Sequence, residues 1–228
     1  MNITTPILTT LTLALVAAGP AAAGLDDNLP KPGDARYAVP AGKVEHSVTV
    51  TEITGSKAVP RHTRHELWLS RNRARSVVTD MKSGKVTAET VITRKETRTF
   101  SAETGRVTVR KSSRASTPFN SSLFEAAVQR AYVEQGITKV TGETTVRGRR
   151  ALVVENVPGK WVSDRSDGKT VAVIDAETDA LYARTSTLPD GAFTQKETYQ
   201  TQVLQGASAH VRFAMGKHKG AKVQRISG

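Results

Sequence analysis

Five histidines, His46, His62, His65, His210 and His218, and a complete lack of cysteine set the metal and proton chemistry open to this 228-residue chain. His62 and His65 lie an odd number of positions apart, so on a strand they point to opposite faces and make no metal pair. Without a thiol there is no cysteine nucleophile. The sequence also contains no Gly-x-Ser-x-Gly, no His-Glu-x-x-His and no phosphate-binding glycine loop. The nearest pair of carboxylates, Asp175 and Glu177, falls at a short turn, Ala176-Glu-Thr-Asp179, where acidic side chains are ordinarily solvated or accept from backbone N–H groups. No catalytic residue, metal or cofactor is therefore assigned, and a non-enzymatic binding protein is expected.

Charge is the second source of chemistry. Lys and Arg number 33 against 21 Asp and Glu, a formal net charge of +12. The cations cluster at Arg71, Arg73 and Arg75, at Arg94, Lys95 and Arg98, at Arg147, Arg149 and Arg150, and in the tail at Lys217, Lys219, Lys222 and Arg225. Such a balance attracts phospholipid head groups, wall polymers, acidic proteins or nucleic acid. Aromatic residues make up only 5% and no stacking motif accompanies the arginines, so no nucleic acid is expected. Arg71, Arg73, Arg75, Arg149 and Arg150 are the candidates for holding a head group or an anionic partner. Solvated strand faces are the plain alternative.

The elements that must position these residues begin after an export signal. Residues 7–18 are uncharged and mostly apolar, and Ala21-Ala22-Ala23 suits a cut before Gly24, although the first residues carry no Lys or Arg. The apolar run is too short to span a membrane. Residues 1–23 are read as a signal peptide, 24–43 as a Pro/Gly-rich lead-in, 44–205 as one domain, and 206–228 as a basic, flexible tail. Without cysteine an exported chain has neither a disulfide framework nor a lipidated anchor, so a soluble secreted or periplasmic monomer is expected.

Short strands with period-two alternation are read at 44–53, 61–69, 73–79, 86–93, 97–100 and 106–110, joined by turns such as Lys82-Ser-Gly84 and Glu103-Thr-Gly105. More follow at 144–147, 150–155, 170–175, 181–186 and 193–204, with Asp190-Gly191 as a hairpin signal. Connections this short cannot hold crossover helices, so the sheet is antiparallel. A single helix is read at 122–135, with Leu123, Phe124, Ala127, Val128, Ala131 and Tyr132 on one face, Ser122 and Glu125 as a capping box, and Gly136 as the stop. The fold class is α+β, an antiparallel curved sheet wrapped around a central amphipathic helix. Leu67, Leu69, Val77, Val91, Phe124, Val128 and Tyr132 are either ordinary core or the lining of a lipid cavity. Trp68 is placed in the core and Trp161 at the cavity rim.

The order of these motifs resembles the lipoprotein-carrier superfamily: Glu66-Leu-Trp68-Leu, then Arg73-Ala-Arg75-Ser-Val-Val, Gly-turned hairpins, a helix, Gly148-Arg-Arg-Ala-Leu-Val-Val, and Val-Ile-Asp175-Ala-Glu-Thr before Leu181-Tyr. That group includes LolA, LolB, RseB and mycobacterial lipid-binding lipoproteins. The resemblance implies an unclosed β-barrel whose apolar concave face holds acyl chains beneath a helical lid. The function it implies is to hold a lipid or a lipidated protein between sheet and helix. Two alternatives stay open: an RseB-like envelope sensor that binds a regulatory protein, and a binder of anionic wall polymer.

Overall fold

A computed structural model describes residues 29–56, 58–111, 119–160, 168–188, 191–211 and 213–226. The expected signal peptide, Trp161 and Asp190 lie outside these ranges. Alternating segments broken by Gly, Asn and Asp turns become β1 (Val44–Thr54), β2 (Arg61–Ser70), β3 (Arg73–Asp80), β4 (Val86–Ile92), β5 (Glu96–Ser101) and β6 (Arg106–Lys111). The helix α1 (Ser122–Glu134) follows, then β7 (Thr138–Val146), β8 (Arg149–Asn156), β9 (Lys169–Asp175), β10 (Leu181–Thr187), β11 (Thr194–Leu204) and β12 (Lys222–Ile226).

All twelve strands form one curved, unclosed sheet in the order β12-β6-β5-β4-β3-β2-β1-β11-β10-β9-β8-β7. Two antiparallel meanders, β1 to β6 and β7 to β11, meet where β1 pairs with β11. The chain must therefore travel from β6 near one edge to β7 at the other, and α1 makes that crossing over the concave face. One pair departs from the antiparallel pattern: β12 runs parallel to β6. The sequence reading contains no strand there, because Lys222–Ile226 is exposed at every position and has no apolar face to signal it.

Helix α1 starts one residue earlier than the capping-box reading places it. Ser121 is the N-cap, and its hydroxyl accepts from the Phe124 N–H. Ser122 instead donates its N–H and its hydroxyl to the Glu45 carboxylate on β1, at 2.9, 3.1 and 2.8 Å. A remote carboxylate thus satisfies the first helix N–H and lies at the positive end of the helix dipole. At the other end the expected stop holds: Gly136 has φ +63°, and Ile137 and Gly136 donate to the carbonyls of Tyr132 and Val133. The buried face carries Phe124, Ala126, Gln129 and Ala131, while Leu123, which the helical period puts on the apolar stripe, is exposed.

Directly opposed residues in antiparallel strands share a face. Glu45 opposes Leu69, Ser47 opposes Leu67, Leu69 opposes Ala74, and Ala74 opposes Ile92, so all of these face the helix. Leu67, Leu69, Ala74, Ile92 and Val39 form one cluster with Phe119 against it. Val154, Ala172 and Ile174 form another, packed against Val133, Leu152 and Leu181. The same register corrects two of the expected cavity residues. Val77 opposes Glu66 and Val91 opposes Arg75, which puts both on the outer face, turned away from α1.

Trp68 shares that outer face rather than the core. Its ring stacks on His46 at a centroid distance of 4.8 Å, and the Arg75 guanidinium lies over it at 5.3 Å. The segment after β11 crosses the outer face as a strap. Phe213 lies beneath the Arg73 guanidinium, Gly216 and His218 bond to Glu89, His218 stacks on Phe100, and the segment continues into β12.

Candidate functional site

An antiparallel meander brings every second turn to the same end of the sheet. The start of β1, the Arg71-Asn72 turn between β2 and β3, the turn between β4 and β5 at Arg94, and the end of β11 therefore lie together. Between them opens a cleft of about 640 Å³ walled by Lys43, Ser70, Arg71, Asn72, Arg73, Arg94 and His210, with the short 3-10 turn Gly206–Ala209 along one side. Among the described residues no Asp or Glu lines it. A second cleft of about 250 Å³ shares Ser70 and Arg71 with the first. Tyr37, Val39, Leu69, Phe119 and Phe124 form its apolar part, and Asp34, Asn120 and Ser121 line the remainder. Tyr37 and Phe124 meet edge to face at 6.0 Å, and Ser121 donates its hydroxyl to the Tyr37 carbonyl, which ties the lead-in to the start of the helix.

The expected site residues separate along these lines. Leu69, Phe124, Arg71 and Arg73 are brought together at the two clefts. Leu67 lies in the neighbouring apolar cluster, and Val128 and Tyr132 are half-buried on α1. Val77 and Val91 are on the opposite face. Three of the expected anion-holding arginines are already neutralised by carboxylates. Arg75 pairs with Glu89 at 2.9 Å, Arg150 with Glu143, and Arg149 with Asp175 at 2.6 Å and Glu177 at 3.0 Å. Arg94, Lys43 and His210 enter the site without having been singled out. The position of Arg94 at a turn two hairpins from Arg71 is the signal that places it at the same end.

Asp175, one of the two turn carboxylates, is an organiser of that turn. It accepts from the backbone N–H groups of Glu177 and Thr178, from the Thr178 and Tyr182 hydroxyls, and from Arg149. The Arg149 guanidinium, opposed by burial and helped by the other donors, holds its carboxyl well below the usual range. Among the described residues no group of three His, Cys, Asp or Glu side chains is placed to hold a metal ion. No helix among them is long and apolar enough to cross a membrane.

The concave face is not apolar throughout. Between the two clusters, Arg184 donates to Glu197 at 2.8 Å, and the Tyr199 hydroxyl donates to Glu197 at 2.7 Å. Glu45 and Glu125 stand on the same side of the sheet. Burial pushes both carboxyls up, against the hydrogen bonds from Ser122 and Ser47 in one case and from Asn120 in the other. A carboxyl raised in the folded state contributes stability that is fully present below its unfolded value and is lost as pH rises through the folded one. Glu45→Gln keeps an acceptor for the Ser122 N–H and removes the buried charge. We expect its melting temperature to match the parent near pH 4 and to exceed it increasingly toward pH 8. A variant destabilised at pH 8 and matching the parent at pH 4 would show that Glu45 acts mainly as a charged cap.

No protein-family model and no curated protein matches the sequence. Solved structures do. A LolA superfamily protein from Nitrosomonas europaea is 9% identical with a TM-score of 0.29, over 75% of this chain and 89% of that one. Mycobacterium tuberculosis lipoprotein LppX is 13% identical with a TM-score of 0.37, over 69% and 84%. A chain from the MucA/MucB complex of Pseudomonas aeruginosa is 14% identical with a TM-score of 0.42, and the match covers 76% of this chain but only 56% of that one. All three are likenesses of fold alone. Similarity at this level transfers no ligand, so the functional reading rests on the clefts.

Proposed function

We propose that this protein is an exported, soluble, non-enzymatic binder of an anionic amphiphile, a lipid or a lipidated protein. The acyl chain lies in the apolar cleft of Tyr37, Val39, Leu69, Phe119 and Phe124, and the head group lies against Arg71, Arg73 and Arg94. One observation carries the reading: a cleft walled largely by Tyr37, Val39, Leu69, Phe119 and Phe124 shares Ser70 and Arg71 with a larger cleft whose described lining has cations and no carboxylate. The larger volume is within the range typical of ligand sites. Apolar burial supplies binding at about 25 cal/mol per Å² removed from water, and Arg71 at the junction fixes which end of the ligand enters. The polar centre of the concave face, with Arg184, Glu197 and Tyr199, favours this end of the sheet over its middle as the place for a chain.

Ala38 lines the apolar cleft and is half-buried. Ala38→Trp fills that space, and it is expected to fold while weakening a fluorescent fatty-acid probe by about tenfold or more, equivalent to about 1.4 kcal/mol. The chain's contribution is nearly indifferent to salt, whereas the contribution of Arg71 is screened as ionic strength rises. A parent protein that ignores the probe but captures anionic polymer at low salt would replace this reading with surface binding.

A further inference from the structure

Building on the amphiphile reading, we infer that the group held in the cationic cleft is a phosphate carrying at least two negative charges, rather than a carboxylate. The arginines elsewhere in the fold show what this cleft lacks. Eight of them, among the described residues, pair with a carboxylate. Arg71, Arg73 and Arg94, with Lys43, line the cleft and have no carboxylate partner among the described residues.

Two of the three guanidinium groups are nonetheless held in place, and in both cases by a neutral group. With the Asn72 amide turned so that its oxygen faces Arg94, as the surrounding donors require, it accepts from Arg94 Nη2 at 2.6 Å and Nε at 2.8 Å, which fixes the plane of the fork and leaves its full charge. The Phe213 ring lies under Arg73 with the guanidinium carbon 4.7 Å from the centroid. A ring face occupies the face of the guanidinium and leaves its in-plane N–H donors free. Arginine forks oriented by neutral contacts and left unpaired are pre-organised for an anion.

The number of charges selects which anion. Lys43, Arg71, Arg73 and Arg94 are four permanent cations around one cleft, and His210 adds a fifth when protonated. A single carboxylate would compensate one of them. A phosphomonoester carries about −1.5 to −2 at pH 7 with three strong acceptor oxygens, and a diphosphate carries more. Guanidinium forks also match phosphate oxygens two at a time, with geometry that a lone carboxylate uses only once.

The test uses the full mature chain in titration calorimetry at fixed ionic strength. Inorganic pyrophosphate and acetate are the free-anion probes. Phosphatidylcholine vesicles containing either phosphatidic acid or oleate, at matched surface charge, are the lipid probes. Pyrophosphate is expected to bind at least about tenfold more tightly than acetate. Phosphatidic acid vesicles should likewise exceed oleate vesicles. Asn72→Ala, which leaves every charge in place but frees Arg94, should weaken pyrophosphate several-fold. Arg94→Lys should do the same, because it keeps the charge and loses the fork. Equal affinity for phosphate and carboxylate probes overturns the inference, as does an Asn72→Ala variant that binds pyrophosphate as the parent does. The two readings fail separately. Fatty-acid probe binding without a phosphate preference leaves the amphiphile site standing alone. Pyrophosphate binding without vesicle or fatty-acid binding keeps the phosphate site, with a free or polymeric phosphate as its source.

Discussion

Glu89→Ala is expected to lower the stability of this protein by about 3–5 kcal/mol, the usual cost of removing one partner from a buried charge pair. Glu89 is 2% exposed on the outer face of β4. Its carboxylate accepts from Arg75 Nε at 2.9 Å, from the Gly216 N–H at 3.0 and 3.1 Å, and from His218 Nε2 at 2.8 Å. With the carboxylate gone, Arg75 is left half-buried without a counter-charge, and the strap loses the anchor that seats Gly216 and His218. For a chain of this length the change amounts to a fall in melting temperature of roughly 10 °C or more. The consequence reaches the cationic cleft, because residues 206–211 at the start of the strap form one of its walls. Amide exchange in 213–226 should rise, and pyrophosphate should bind more weakly. Glu89→Gln retains an acceptor for Gly216 and should fall between the two. Gly216 itself is held by close approach: a Cβ there would stand 3.2 Å from Glu89 Oε2. An unchanged melting temperature in Glu89→Ala would mean that the strap contributes no stability and walls the cleft only loosely.

Asp175→Ala is the second large effect, a loss of about 1–3 kcal/mol from the backbone donors and hydroxyls it leaves without an acceptor. Asp175 is 1% exposed, and the N–H groups of Glu177 and Thr178 at 3.1 and 2.9 Å depend on it to close the β9–β10 turn. Tyr182 donates to it at 2.6 Å. Because the folded carboxyl is held below its unfolded value, its contribution is present above the unfolded range near 3.8 and is lost as pH falls through and below it. The parent should therefore lose stability steeply between about pH 4 and pH 2, and Asp175→Ala should show a flatter acid limb. Parallel acid limbs would show that the turn, rather than the charge, supplies the stabilisation.

Local chemistry was enough for the individual elements. Alternation with period two and the Gly, Asp and Asn turns mark β1 to β6 and β8 to β11 to within a residue or two, because a half-buried strand must alternate wherever it lies. The helical period and Gly136 mark α1 for the same reason: a helix end needs a left-handed residue whatever it packs on. The absence of cysteine and the net charge are likewise properties of the chain alone.

Register and partner choice are different, since both are relations between distant residues. Leu67 and Val77 are both odd-numbered apolar strand residues, yet the β2–β3 turn sets Leu67 opposite Ser76 and Val77 opposite Glu66, which sends them to opposite faces. Nothing local to Arg75, Arg149 or Arg150 distinguishes them from Arg71 and Arg73. The distinction is made by Glu89, Asp175 and Glu143, which the sheet pairing carries to the first three and not to the others. The capping serine moves by one position because Glu45, far away in sequence, takes the N–H of Ser122. β12 exists only because the β6 edge offers unpaired backbone groups to a segment with no apolar pattern of its own. The sequence by itself therefore determined most of the elements, the charge and the lack of cysteine. The tertiary structure decided which cations stay unpaired and where they meet an apolar cleft, because pairing is settled by contacts across strands and not by the neighbours along the chain.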